Sequence, residues 1–318
     1  MRGHVPADGV DIPRAQAGPN PQHLLATILG EYFDSSDADL PSAAVVAVLR
    51  EFDISEASAR AALSRLTKRG LVAARRPGRP AVYHLTPQAI AKHRSRMHHF
   101  LTFGARPPRW TGDWTVVTFS LPESRQAKQS RQAQRHDVRK TLGSLGFVRL
   151  YDSVWIKPGR DLPGTTRAMR EVLGSTGNER WSVMCARFAD EAGPHGPTAA
   201  YDLEGLAAAY SAFVDRHSPL LASVRDRRVG AAEALIARTS VMDSWRTFAD
   251  TDPDLPQRLL PAPWPRQAAR EVFLEIHSAL GPLAEARLVE ITRPYWPEGA
   301  SWITHFQATD APIDSPGD

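Results

Sequence analysis

Residues 42–85 hold two apolar-striped segments joined by a three-residue turn, then two strand-like runs on either side of a basic Pro/Gly tip, and this order leaves few ways to fold. Ser42–Phe52 (SAAVVAVLREF) reads as a short apolar helix, and Asp53–Ser55 as a tight connection into the next one. Ser55 is a predicted N-cap with Glu56 in the first turn, Ala59, Leu63 and Leu66 recur at helical spacing, and Gly70 supplies a C-terminal stop. Two helices joined by so short a turn form a helix-turn-helix. Downstream, Leu71–Ala74 and Ala81–Leu85 bracket Arg75, Arg76, Pro77, Gly78, Arg79 and Pro80, a predicted β-hairpin whose tip carries three arginines.

The second helix would span roughly 22 Å, enough to cross a major groove. Its face away from Leu63 and Leu66 offers Ser58, Arg60, Ala61, Ser64, Arg65 and Lys68, with Arg69 at its end. Arg and Lys reach guanine edges or phosphate, Ser adapts as donor or acceptor, and Ala61 permits close approach to a thymine methyl. The hairpin can lay Arg75, Arg76 and Arg79 along a backbone or into a minor groove. Charge supports that partner: residues 55–109 hold twelve Lys/Arg against one acid, Glu56, while the whole chain is only +4. A basic end on a near-neutral body implies a polyanion, here double-stranded DNA, with a protein-interaction module as the bland alternative.

At 318 residues, with 42% hydrophobic residues, the chain is long enough for two or three domains with real cores. The single cysteine, Cys185, excludes an intramolecular disulfide and fits a reducing cytoplasm. No apolar run approaches the roughly 20 residues of a membrane span, and the first residues lack the apolar stretch of a secretory signal. Residues 1–20 and 309–318 are expected to be flexible tails.

After the hairpin, Thr86–Pro87 opens a helix reaching about Phe103, and Arg106–Pro107–Pro108–Arg109 marks the first boundary, giving a domain over 21–105. Trp114–Phe119, a helix ending at Leu145–Gly146, Phe147–Tyr151, Ser153–Lys157, a helix over Thr165–Leu173 and Trp181–Phe188 follow in β-α-β-β-α-β order. That order predicts a ferredoxin-like domain over 110–190. From 200 to 295 the three- and four-residue spacing of Leu203, Leu206, Tyr210 and Phe213, and later of Leu235, Met242 and Trp245, predicts an all-helical domain. The fold class is therefore α+β multidomain.

His93, His98 and His99 do not make a metal site: His98 and His99 are neighbours pointing to different sides, and their helix is expected to be a solvated or DNA-flanking basic one. Cys185, in an apolar strand, is expected to be a buried structural residue. No phosphate loop, nucleophile elbow or HExxH pattern appears, so neither an enzyme nor a cofactor is indicated. On the first central helix, Lys128, Arg135 and Arg139 fall within about 40° of one another at 100° per residue. They are candidates for the phosphates of an effector or for a second stretch of DNA backbone, and Trp245 and Trp264 for its aryl or acyl group.

ISEASARAALSRLTKRGLV, LGFVRLYDSVWIKPG and DPDLPQRLLPAPWP, in this order, resemble the PaaX family of bacterial transcriptional repressors over roughly residues 22–295. The resemblance implies a homodimer with an N-terminal winged helix-turn-helix, a central ferredoxin-like domain and a helical C-terminal domain. It further implies repression of an aromatic catabolic operon, with release from DNA when an aryl-acetyl-CoA thioester binds; the mechanism expected here is a dimer docked on a near-palindromic operator and loosened when the effector binds between the central and C-terminal domains. The central segment also resembles the small nuclease of CRISPR adaptation, which makes a metal-dependent nuclease the rival reading. Where that family carries an Asp, this chain has Ser120, with Asp152 and Glu123 the nearest acids; a hydroxyl is a poor anchor for Mg²⁺.

Overall fold

The computed structural model describes residues 20–33, 35, 37–76, 81–120, 128–173, 180–190 and 196–307, with the side chains of Arg76 and of residues 128–131 outside that description. Of the predicted tails, 1–20 and 309–318, all but Asn20 lie outside the described residues, as do Arg79 and Glu123; Asn20 caps a helix and is no part of a tail.

In chain order the helices and strands are α1 Pro21–Tyr32, β1 Leu40–Pro41, α2 Ser42–Arg50, α3 Glu56–Lys68, β2 Val72–Arg76, β3 Val82–Leu85, α4 Pro87–Thr102, β4 Trp114–Ser120 and α5 Lys128–Ser144. They continue with β5 Val148–Tyr151, β6 Val154–Pro158, α6 Leu162–Leu173, β7 Arg180–Ala186, α7 Leu203–Arg225, α8 Ala231–Thr251 and α9 Arg266–Thr292. The described chain is a mixed α+β structure with nine α-helices and two small antiparallel sheets.

Two compact units form. The first holds the described residues of Met1–Ala105, Tyr210–Thr251 and Arg266–Asp318, the second those of Arg106–Ala209 and Asp252–Pro265. In the first, α3 packs against both α1 and α2, and β1, β2 and β3 form a three-stranded sheet of order β1-β3-β2. Strand β1 escapes sequence reading because it is two residues long; it pairs Leu40 with Tyr83 and Pro41 with Val82. Helix α1 was signalled by Asn20, whose side chain accepts from the Gln22 and His23 amides, followed by Pro21 in the first turn.

A hydrophobic core joins distant segments of this unit. Leu25, Leu29 and Tyr32 of α1, Leu49 of α2, Leu63 and Leu66 of α3 and Leu85 of β3 are buried together with Leu235 of α8, Leu288 of α9, and Trp296 and Ile303 beyond it. Helices α8 and α9 lie side by side, with Trp245 stacked on Phe273 at 4.9 Å between ring centroids. The segment after α9 returns to the end of α1, where the Thr304 and Phe306 amides donate to the Tyr32 and Glu31 carbonyls, two acceptors that a helix end leaves open.

The histidines of α4 depart from the solvated basic helix expected of them. His93 is buried, and the desolvation of its ring, helped by Arg96 and Arg246, pushes its pKa down to about 4. The His99 ring lies 3.0 Å from the Ala249 carbonyl, and Arg96 bonds Asp250, so α4 is packed on α8.

In the second unit, β4-α5-β5-β6-α6-β7 gives an antiparallel sheet of order β5-β6-β4-β7. Val117 and Phe119 of β4 pack with Val138 and Leu142 of α5 and with Met169 and Leu173 of α6, all buried. Trp114 and Val116 face the other way, packing with Ile156 and Leu259. Cys185 is exposed, not buried as expected. Among the described residues strand β7 is an edge that pairs with β4 alone, and its pattern of mostly exposed residues shows that a run of apolar letters does not imply two covered faces.

Candidate nucleic-acid interface

Both ends of α3 are built by local chemistry. Ser55 is extended, and its hydroxyl accepts from the Ser58 amide at 3.3 Å. At the other end, Gly70 has φ 70°, its amide donates to the Thr67 carbonyl at 3.0 Å, and the Leu71 amide donates to the Leu66 carbonyl at 3.0 Å. This is a Schellman stop, which needs the left-handed conformation that glycine adopts without strain. Between the caps, Ala59, Ala62, Leu63 and Leu66 are buried, which turns the opposite face outward.

On that outward face Arg60, Ser64, Arg65, Lys68 and Arg69 are exposed, and Ser58 and Ala61 half-buried. Their environments differ. Arg60 bonds Glu56 through Nε and Nη2 at 3.0 and 2.8 Å, and the bond from Arg60 holds the Glu56 carboxyl below the usual carboxylate range. Arg65 and Lys68, one helical turn apart, are exposed and have no ion-pair partner among the described residues. Arg75, on β2, pairs with Asp39 at 3.1 Å. Strands β2 and β3 pair from Val72↔Leu85 to Arg76↔Val82, with an irregularity between Ala74 and Arg76 that precedes the tip. The structure thus places Ser58 to Arg69 on one helix and Arg75 on the strand that follows it; the Arg76 side chain and all of Arg79 fall outside the described residues.

The candidates for an effector site fall in both units. Arg135 and Arg139 are exposed on α5, beside the buried Val138 and Leu142; the Lys128 side chain is outside the description. Trp264 is half-buried in the second unit. Trp245 belongs to the first unit, is fully buried, and donates its indole N–H to the Phe100 carbonyl at 2.8 Å, as a core residue does. Ser120 ends β4 opposite Arg180, Asp152 is exposed in the β5–β6 turn, and among the described residues no three His, Cys, Asp or Glu side chains gather as a metal-ligand set.

Sequence reading missed the polar residues joining α1 to α8 and α9. Arg238 is fully buried and donates to Glu31 at 2.5 Å, to the His277 carbonyl at 3.0 Å and to the Phe306 carbonyl at 2.8 Å. No local signal marks such a pair, because its members stand 207 residues apart.

Three family models match the chain in succession: the PaaX-like protein over residues 20–89, the PaaX protein central Cas2-like domain over 107–190 and the PaaX-like protein C-terminal domain over 201–290. A curated relative, the transcriptional repressor PaaX of Escherichia coli (strain K12), is 24% identical over 279 residues, which is 84% of this chain and 82% of its own. With N-terminal, central and C-terminal models all matched in order, and a full-length relative carrying the same name, the chain belongs to the PaaX family.

Proposed function

We propose that the protein is a DNA-binding transcriptional repressor, regulatory and not catalytic, released from its operator by a small-molecule effector. The family relationship and the printed function of the relative support repression. The observation that carries DNA contact is the pair Arg65 and Lys68, exposed and without an ion-pair partner among the described residues, on the outward face of a helix whose other face is buried.

In this reading α2, α3 and the β1-β3-β2 sheet are a winged helix-turn-helix, and β4 to β7 with α5 and α6 are a ferredoxin-like domain that serves dimerisation. Helix α3 enters the major groove, reading base edges through Ser58, Ala61, Ser64 and Arg65, while Lys68, Arg69 and Arg75 hold phosphate. Two copies in one dimer place two such helices on the half-sites of a near-palindromic operator. Regulation of an aromatic catabolic operon and an aryl-acyl-CoA effector rest on the family resemblance alone.

The test is selection of genomic fragments by the purified protein, then titration of the best fragment at two salt concentrations. Wild-type protein is expected to enrich a palindromic site, and Arg65→Ala and Lys68→Ala each to weaken binding. Where the lost contact is to a phosphate, the slope of log K against log salt falls by about 0.9. No enrichment, or unchanged affinity and slope in both variants, would refute the reading and favour a protein-interaction module.

A further inference from the structure

Helices α1 and α8 run beside each other at the level of the turn between α2 and α3, and a cavity of about 400 Å³ opens between them, within the size range of small-molecule sites. Its walls are Asn20, His23, Leu24 and Thr27 from α1, Glu51, Phe52 and Asp53 from the turn, and Ile236, Thr239, Ser240 and Asp243 from α8. On both helices these residues recur at three- and four-residue steps, so each helix gives the cavity a continuous face.

The chemistry of the walls is selective. Leu24, Phe52 and Ile236 offer an apolar surface, and Ile236 is 43% exposed, unusual for so large an apolar side chain. None of the lining residues is Lys or Arg, and three are acids. Two of those acids are already neutralised: Glu51 accepts from Arg287 at 2.8 and 2.9 Å, and Asp243 is in contact with His23 and 3.7 Å from Arg246. The Asp53 carboxylate has no ion-pair or hydrogen-bond partner among the described residues, and Asp53 holds a left-handed backbone, φ 57°. His23 is 4% exposed, and its Nδ1 also lacks a partner among the described residues. Because a carboxylate only accepts, His23 Nε2 is the donor to Asp243, which in the neutral ring leaves Nδ1 an acceptor. Among the described residues, the one unpaired charge on the cavity walls is therefore negative.

We propose that this cavity binds a compact amine, an apolar body carrying one protonated amino group, bridging α8 to the turn that begins α3. The ammonium supplies the donors and the charge that the exposed Asp53 carboxylate lacks, and the body covers Leu24, Phe52 and Ile236. A polyanionic thioester is the wrong partner here, since its phosphates would meet acids and no cation. The ligand touches Phe52 and Asp53, which precede Ile54 and the α3 N-cap Ser55, so it acts on the helix proposed to read DNA; this regulatory part rests on the DNA-binding reading, whereas the binding part does not.

The experiment is calorimetric titration of the full-length protein with tryptamine and with indole-3-propionate, which share a ring and a two-carbon arm but carry opposite charges. Saturable tryptamine binding is expected, at least tenfold tighter than the carboxylate, and weakened at least tenfold by Asp53→Asn, whose side chain tolerates the same left-handed backbone. Ile236→Trp, which fills the cavity from its exposed edge, is expected to abolish binding while thermal unfolding reports that the chain is folded. No tryptamine binding, equal binding of the two ligands, or folded variants that bind like wild type each overturn the site. Operator affinity is measured first without ligand, so failure of the DNA-binding reading appears there and leaves the calorimetry intact. If DNA binds and saturating tryptamine leaves its affinity unchanged, the regulatory part is overturned, because coupling between two sites is reciprocal.

Discussion

Glu31 and Arg238 show how much one buried pair can decide. The two side chains are 1% and 0% exposed, and the guanidinium bonds one carboxylate and two carbonyls, leaving little of it unsatisfied. Removing one partner of a buried ion pair strands the other charge in a poorly polarisable interior, typically at 3–5 kcal/mol. Glu31→Ala is therefore expected to lower unfolding free energy by about 3–5 kcal/mol in urea titrations. An effect below about 1 kcal/mol would place the pair in the class of exposed bridges such as Arg225–Glu275. Other single residues announced themselves in the sequence: Ser55 and Gly70 act through bonds to neighbours three to five positions away, so their roles were legible from letters alone.

Among elements, α3 was legible to within a residue at each end because both caps are local, and β2 and β3 because turn residues separate them. Helix α4 kept its bounds but not its surroundings, since its basic letters gave no sign of the α8 surface that takes His99 and Arg96. The packing of α1 on α4 is close: a Cβ added at Gly30 would stand 2.6 Å from His93 Nδ1. Gly30→Ala has the better helix propensity, yet overpacking typically costs 1–3 kcal/mol, so the variant is expected to unfold at a lower temperature than wild type. A rise in melting temperature would show that α1 and α4 separate easily.

For the whole molecule, two buried histidines tie stability to pH. Burial pushes both His93 and His277 down to about 4, from an ordinary value near 6.5. Between those values the unfolded chain binds protons that the folded chain does not, so the contribution is present above about 6.5 and lost as pH falls toward 4. Denaturant unfolding at pH 7.5 and pH 5 is expected to differ by up to about 2 kcal/mol per histidine, less stable at the lower pH; equal stabilities would show that the rings are hydrated. The continuous core has a second consequence. Leu235, Leu288, Trp296 and Ile303 complete the core around α1 to α3, so residues 1–105 alone lack part of their own interior. That fragment is expected to show no cooperative thermal transition by circular dichroism, and a sharp one would mean that the N-terminal segment is self-sufficient.

The sequence by itself determined what depends on neighbours along the chain: where α3 begins and ends, the basic hairpin, the strand order of the second unit's chain and the family. Helix caps, turns and apolar periodicity act within a few residues, and letters carry that range. Only the tertiary structure decided what depends on residues far apart. It closed one core over α1 and Ile303, paired Glu31 with Arg238, exposed Cys185 on an edge strand and opened the cavity between His23 and Asp243. A side chain's burial and partners follow from which surfaces the folded chain brings together, and hydrophobic burial is non-directional, so no local pattern specifies the partner.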